Sequence, residues 1–211
     1  MGVPERRERE RTELREKILD AARELFITDG YEGVSMRKVA EKIEYSPTAI
    51  YVYFADKEQL FRELCHEDFG RLAEVFQRHA QIPNPIERLR QIGRTYAIFG
   101  EKYPNHYKLM FMTPHPQQGL DERQREIRGN PESDAYAFLR QTAQDAINGG
   151  YLRPEFADAD LVSQTLWGAI HGAISLQIAK CNDDWVDWRP LDLRVEAMLE
   201  VTLRGIRREA K

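Results

Sequence analysis

A chain of 211 residues with a net charge of −4 and 42% hydrophobic residues is long enough for one large domain or two small ones. That apolar content supports a sizeable core and excludes a disordered chain. No apolar run approaches the ~18 residues of a membrane span. The opening Met1-Gly2-Val3-Pro4-Glu5-Arg6-Arg7 lacks the apolar stretch of a signal peptide, and Cys65 and Cys181 have no metal-ligand spacing. A cytoplasmic protein with two reduced thiols is expected.

Helical periodicity dominates, and no β pattern or internal repeat stands out. Leu14, Ile18, Ala21, Ala22, Leu25 and Phe26 recur at spacings of three or four and predict a first helix over 12–29, with Thr12 as its cap and Gly30 as the left-handed residue after its end. The alternating Arg and Glu of 5–11 read as a frayed or mobile arm. Ser35 caps a short helix through Lys42 that turns Val39, Ala40 and Ile43 inward. After a tight turn at Glu44-Tyr45, Ser46 caps the next helix, and Pro47 occupies its first position, where the missing N–H costs nothing. That helix is predicted to reach Phe54. Asp56, with Gln59 in the reciprocal capping position, opens a long helix to about residue 80.

Pro83 and Pro85 punctuate the chain next. Helices are predicted over 85–102, 104–112, 132–149, 158–180 and 191–208, with a polar loop over 113–131 (Pro114, Pro116, Gly119, Gly129, Pro131) holding one short helix near 121–128. The fold class is therefore all-α, about nine helices, divided at residue 64: a three-helix helix-turn-helix over 1–64 and a helical domain over 65–211.

Three short helices whose third opens at a capped Ser-Pro read as a helix-turn-helix. A helix fits the major groove, and residues near its N-terminus reach base edges. Charge does not announce nucleic acid, since residues 1–54 hold ten Lys+Arg against eleven Asp+Glu. The case rests on geometry, and the helix starts at Ser35, Ser46 and Asp56 offer N–H donors to phosphates.

The stretch Gly33-Val34-Ser35-Met36-Arg37-Lys38-Val39-Ala40-Glu41-Lys42-Ile43-Glu44-Tyr45-Ser46-Pro47-Thr48-Ala49-Ile50-Tyr51-Val52-Tyr53-Phe54, preceded by Ala21-Ala22-Arg23-Glu24-Leu25-Phe26, resembles the signature of the TetR family of regulators over about 12–64. The resemblance implies a recognition helix from Ser46 to Tyr53. It implies that Pro47, Thr48, Ala49 and Tyr51 face the groove and that Ser35, Tyr53 and Lys57 grip the backbone. Arg37 reads as a phosphate contact. Glu44 departs from the family's frequent glycine in the turn. If positive φ is needed there, a non-glycine costs on the order of 1 kcal/mol.

The C-terminal half is rich in aromatics. Leu166-Trp167-Gly168-Ala169-Ile170-His171-Gly172 resembles the Trp-His-Gly subclass of TetR C-terminal domains. Tyr96, Phe99, Tyr103, Tyr107, Met110 and Phe111, with Phe138, Trp167 and His171, fill the core or line a pocket for a small hydrophobic ligand, which is usually apolar with a few polar groups. Leu161, Val162, Leu166, Ile170, Ile174 and Ile178 form one stripe. Leu191, Val195, Met198, Leu199, Thr202, Leu203 and Ile206 form another. Each stripe serves the internal core, a dimer interface, or both, and small residues at 168, 169, 172 and 173 allow close helix approach.

The resemblance implies a homodimeric repressor on a palindromic double-stranded DNA operator, released by its ligand, with recognition helices ~34–36 Å apart. The alternatives are a helical adapter that has lost DNA binding and a small helical enzyme. The sequence shows no nucleophile–base pair, no metal-ligand cluster and no phosphate-cradling glycine loop, so neither an enzyme nor a cofactor is expected.

Overall fold

The computed structural model describes residues 3–114 and 119–208, with side chains from Glu5 onward. His115 and Pro116, expected in the polar loop, lie outside the described residues. The described chain is all-α: α1 (Val3–Gly33), α2 (Met36–Lys42), α3 (Pro47–Tyr51), α4 (Lys57–Gln77), α5 (Pro85–Lys102), α6 (Pro104–Phe111), α7 (Glu122–Ile127), α8 (Ala135–Asn148), α9 (Ala159–Lys180) and α10 (Leu191–Ile206), plus a 3-10 turn at Pro154–Phe156. Leu152 and Arg207 form an isolated antiparallel bridge. No helix of the described residues is long and apolar enough to cross a membrane.

The helices divide into two compact units, Met1–Asp68 with Asn105–Gln118, and Phe69–Pro104 with Gly119–Lys211. The chain passes between units inside α4, four residues beyond the expected division at residue 64, and α6 carries most of its length in the first unit rather than the second.

In the first unit the apolar stripe of α1 is realised: Ile18, Ala22 and Phe26 are fully buried. Gly30 adopts φ 71, a region open to glycine, and bends the chain. Tyr31 then stacks on Phe26 with ring centroids 5.7 Å apart, and Phe61 meets both rings edge-on at 5.0 and 5.2 Å. Val39, Ala40, Ile50, Phe54, Leu60, Leu64 and Leu109 complete this core.

The predicted arm is helical instead. Arg6–Glu10 at 2.7 Å and Arg9–Glu13 at 3.7 Å are i,i+4 pairs that support helix, so the Arg/Glu alternation extends α1 rather than fraying it. Thr12 is consequently an interior residue, its hydroxyl donating to the Glu8 carbonyl at 3.0 Å, and not a cap.

A buried ionic group ties α6 to the same unit. Arg23 and Asp68 are both buried, with Arg23 Nη2 donating to Asp68 Oδ1 at 3.2 Å and Nη1 to the exposed Asp20 at 2.7 Å. His106 Nδ1, on α6, lies 2.7 Å from the same Asp68 oxygen. Beside them Tyr107 and Leu109 are fully buried. The neighbouring Cys65 thiol is pushed up to about 12 by its burial and then by the Asp68 charge, which leaves it protonated at neutral pH.

In the second unit α5, α8, α9 and α10 pack on one another. Val162, Leu166, Ile170 and Ile174 of α9 and Leu191, Val195, Leu199, Leu203 and Ile206 of α10 are buried in its core. Most of both predicted stripes therefore serves internal packing. Gly93 of α5 leaves room for Leu199 of α10, since a Cβ there would stand 2.5 Å from Leu199 Cδ2 and force that side chain to shift.

Candidate nucleic-acid interface

The helix-turn-helix is built from local caps. Ser35 Oγ accepts from Lys38 N at 3.2 Å and starts α2, while Ser46 Oγ accepts from Ala49 N at 3.3 Å and starts α3, with Pro47 in its first turn. Each cap satisfies one N–H that the first helical turn leaves without a partner. The turn between them passes through Glu44 at φ 62, the single non-glycine with positive φ among the described residues. The condition raised by the sequence is thus met: a side chain occupies a left-handed position that glycine would take without strain.

The expected helix to Phe54 is shorter, ending at Tyr51 with Val52 at its C-cap. Beyond it the chain leaves the helix through a turn in which Tyr53 N donates to the Ile50 carbonyl at 2.9 Å and Phe54 N to the same carbonyl at 3.1 Å, with Ile50 and Phe54 both buried. Asp56 Oδ1 accepts from Gln59 N at 2.7 Å to open α4, and Gln59 Oε1 in turn accepts from Ala55 N at 2.6 Å. The reciprocal cap forms one residue earlier than a regular capping box.

The predicted groove residues separate cleanly. Pro47, Thr48 and Tyr51 are exposed, with Tyr51 at 54%, and their three- and four-residue spacings place them on one face. Ala49 is half-buried behind them and Tyr53 packs partly against the core. Ser35, Ser46 and Arg37 are exposed. Tyr45 and Val52 also stand out, at 44% and 68% exposure, flanking that face. Neither is among the residues expected to touch DNA, although their position at the two ends of a short capped helix is a signal for it.

Every cation near this face has a carboxylate partner in the same unit. Arg37 Nε donates to Glu41 at 3.0 Å, Lys38 Nζ to Asp29 at 3.2 Å and to the Gly33 carbonyl at 2.7 Å, and Lys42 pairs with Glu24 at 2.9 Å. The Lys38 hydrogen bond, then that of Thr28, holds the Asp29 carboxyl below its ordinary range. Lys57 Nζ donates to the Tyr31 carbonyl at 3.0 Å, lies 4.3 Å from the centre of the Tyr31 ring, and stands 3.9 Å from Glu32. It secures the end of α1 whatever else it touches. Exposed pairs of this kind contribute only ~0–1 kcal/mol, so phosphate oxygens can displace the carboxylates.

The predicted ligand residues fall in both units. Tyr107, Met110 and Phe111 belong to the first, where Tyr107 and Met110 are buried and the Tyr107 and Phe111 rings lie 4.9 Å apart. Tyr96, Phe99, Tyr103, Phe138, Trp167 and His171 belong to the second. There Trp167 Nε1 donates to Tyr96 Oη at 3.0 Å, Tyr136 lies 6.1 Å from Trp167, and Phe99 lies 5.5 Å from Tyr103. Burial holds His171 below the ordinary histidine value, which keeps it neutral at pH 7. Tyr136, absent from the sequence-based set, donates to Asp160 at 3.1 Å and accepts from Gln164 at 3.3 Å.

Comparison with known proteins agrees with this geometry. Residues 18–64 match the profile of bacterial regulatory proteins of the tetR family, and residues 89–202, more than half of the chain, match the tetracyclin repressor-like C-terminal domain. The second match carries that general description, not the Trp-His-Gly subclass. The chain is 46% identical over 61 residues to the HTH-type transcriptional repressor AcnR of Corynebacterium diphtheriae, an alignment covering 29% of this chain and 32% of that protein. The match thus spans about a third of that relative's length. Among solved structures, the fatty acid degradation regulator FadR of Bacillus halodurans shares the fold with a TM-score of 0.70 and 19% identity, covering 90% of this chain and 95% of that one. The ketosteroid transcriptional regulator of Mycobacterium tuberculosis does so at 0.64 and 20%, covering 92% and 95%. With a capped helix-turn-helix followed by a matching helical C-terminal region, the chain belongs to the tetR family of bacterial regulatory proteins.

Proposed function

We propose that this protein is a cytoplasmic transcriptional repressor that binds a palindromic double-stranded operator as a homodimer and leaves it when a small hydrophobic ligand binds. The observation that carries the reading is the outward face of α3, where Pro47, Thr48 and Tyr51 stand exposed on a helix locked by a serine cap and a buried Ile50. DNA binding resides in the first unit. Ser35, Arg37, Ser46, Tyr53 and Lys57 hold the backbone while Pro47, Thr48, Ala49 and Tyr51 meet base edges. An adapter without DNA binding is not favoured, since Pro47, Thr48 and Tyr51 all stand exposed among the described residues.

Dimerisation resides in the second unit. Leu161 and Leu176 of α9 and Leu193 and Val201 of α10 remain exposed after its core is filled. A Cβ at Gly168 or Gly172 meets nothing within 4 Å, so the small residues of α9 leave room that no described residue occupies. A second copy of α9 fits that opening. The ligand is assigned to the aromatic group of Tyr96, Phe99, Phe138, Trp167 and His171, where a few polar groups stand among rings. Tyr103, whose ring lies 5.5 Å from that of Phe99, completes the assignment within the second unit. The ligand acts through its differential affinity for the two states of the protein.

The test is a gel shift of the full chain on the DNA upstream of its own coding region at two salt concentrations. Phosphate-dominated binding falls steeply with salt, with a slope of about −0.9 per neutralised phosphate. Lys57→Ala should weaken binding to all duplexes alike, whereas Thr48→Ala and Tyr51→Ala should change sequence preference. Equal, sequence-independent losses in all three variants would refute the groove assignment.

A further inference from the structure

The face that this reading places against DNA has an unusual chemical inventory. From Tyr45 to Ala55 the chain contains no Lys, Arg, Asn, Gln, Asp or Glu. What α3 and its flanks present outward is the pyrrolidine of Pro47, the hydroxyl and methyl of Thr48, the phenols of Tyr45 and Tyr51 and the isopropyl group of Val52. The Ser46 hydroxyl already accepts from Ala49 N at 3.3 Å, and the nearest amide, Gln59, already accepts from Ala55 N at 2.6 Å. The nearby cations Arg37, Lys38 and Lys42 are carried by α2, not by α3.

Major-groove chemistry makes this inventory selective. Guanine is read by Arg or Lys at O6 and N7, adenine by Asn or Gln at N6 and N7, and thymine through its C5-methyl by apolar contact. The readers of the first two are missing from α3, and those of the third dominate it. An apolar side chain set against guanine O6/N7 or cytosine N4 would strip water from those groups and return no hydrogen bond, which carries a penalty. The pyrrolidine of Pro47, the isopropyl group of Val52, the methyl of Thr48 and the ring face of Tyr51 therefore reward a thymine methyl and disfavour a G·C pair where they cover it, while the Thr48 and tyrosine hydroxyls can bond to either kind of pair.

We infer that the exposed face of α3, centred on Pro47, Thr48 and Tyr51, selects its operator half-sites through thymine C5-methyl groups rather than by hydrogen-bond reading of guanine or adenine. This inference rests on the proposed binding of α3 in the major groove and adds the chemistry it recognises there. Arg37, Lys38 and Lys42 then act on phosphates and contribute affinity without sequence preference.

The test starts from the full-length protein and a pool of duplexes with a random central segment longer than two helical turns. Enriched duplexes are resynthesised with deoxyuridine replacing thymidine one position at a time, which removes the methyl group and leaves base pairing unchanged. In parallel, 7-deazaguanine replaces guanine to remove the N7 acceptor. The expected result is binding about fourfold weaker at a subset of thymines in each half-site, matching ~0.8 kcal/mol per methyl group taken from water, with the 7-deaza substitutions close to neutral. Tyr51→Ala, at a side chain already largely in solvent, should abolish the thymine–uracil difference at the position that Tyr51 covers while leaving it at others. Fully uracil-substituted duplexes that bind like their thymine parents, or losses concentrated at 7-deazaguanine, would overturn the inference while leaving DNA binding intact. A pool in which no sequence enriches would instead overturn the groove reading beneath it, and the inference with it.

Discussion

The outward face of α2 and α3 and the interior of the first unit use the same kind of interaction with opposite consequences. On the face, Arg37 meets Glu41, Lys38 meets Asp29 and Lys42 meets Glu24, with the charged groups open to solvent. In the interior, Arg23 meets Asp68 with both side chains almost wholly removed from water, and His106 joins from α6. Water supports each partner of an exposed pair, so its contacts can be exchanged for phosphate at little cost. A buried pair has no such replacement, and removing one partner leaves a desolvated charge. The lesson is that burial, not pairing, separates a charge available for binding from one committed to the fold.

The sharpest way to break this comparison is Asp68→Asn, which should cost about 3 kcal/mol of stability, the lower end for a broken buried pair because Asp20 still supports Arg23. Chemical denaturation of the variant measures it, and a loss below that of an ordinary surface substitution would show that the pair is not a committed one.

Glu41→Gln addresses the other side. Releasing Arg37 should tighten binding to any duplex by up to about fivefold, the limit set by a surface pair of ~0–1 kcal/mol. Gel shifts at low salt read the effect, which should shrink as salt is raised. A Glu41→Gln variant that binds DNA no better than the parent would mean that the carboxylate does not compete with phosphate.

Glu44→Gly sharpens the contrast at the turn. Relief of positive φ, set against glycine's larger unfolded-state entropy, should leave a net gain of about 0.5 kcal/mol, seen as a higher Tm. Removing a carboxylate beside the recognition helix should also strengthen DNA binding without changing sequence preference.

The smallest expected effect concerns titration in the second unit. Burial, for His79 with the Arg78 charge in addition, holds His79 and His171 below their ordinary value of 6.5. As pH falls through 6.5 the unfolded chain takes up these protons more readily than the native one. Stability is therefore full above that value and declines below it. Thermal unfolding at about pH 8 and about pH 5.5 should show a lower Tm in acid. The His79→Gln/His171→Gln double variant should flatten that difference.

Where the sequence spoke plainly, the reason was local. Ser35 and Ser46 satisfy N–H groups three residues ahead, and Pro47 follows its cap directly, so α2 and α3 begin where their residues say they must. Gly30 and Glu44 both occupy positive φ, as the end of one helix and the turn between two others require. The Arg/Glu arm was misread because alternating charge signals solvent exposure and i,i+4 pairing alike, and only the realised pairs decide for helix.

What the sequence by itself determined, then, is the helix-turn-helix, since it follows from caps, while the outward placement of Pro47, Thr48 and Tyr51 came from the family resemblance. Tertiary structure alone decided that α6 joins the first unit through His106, Tyr107 and Leu109. It also decided that the long stripes of α9 and α10 are consumed mostly inside the second unit, and that each cation beside α3 already has a carboxylate partner. Those outcomes depend on groups distant in the chain competing for the same buried volume or the same charge. Periodicity reports that a face is apolar, and only packing reports what covers it.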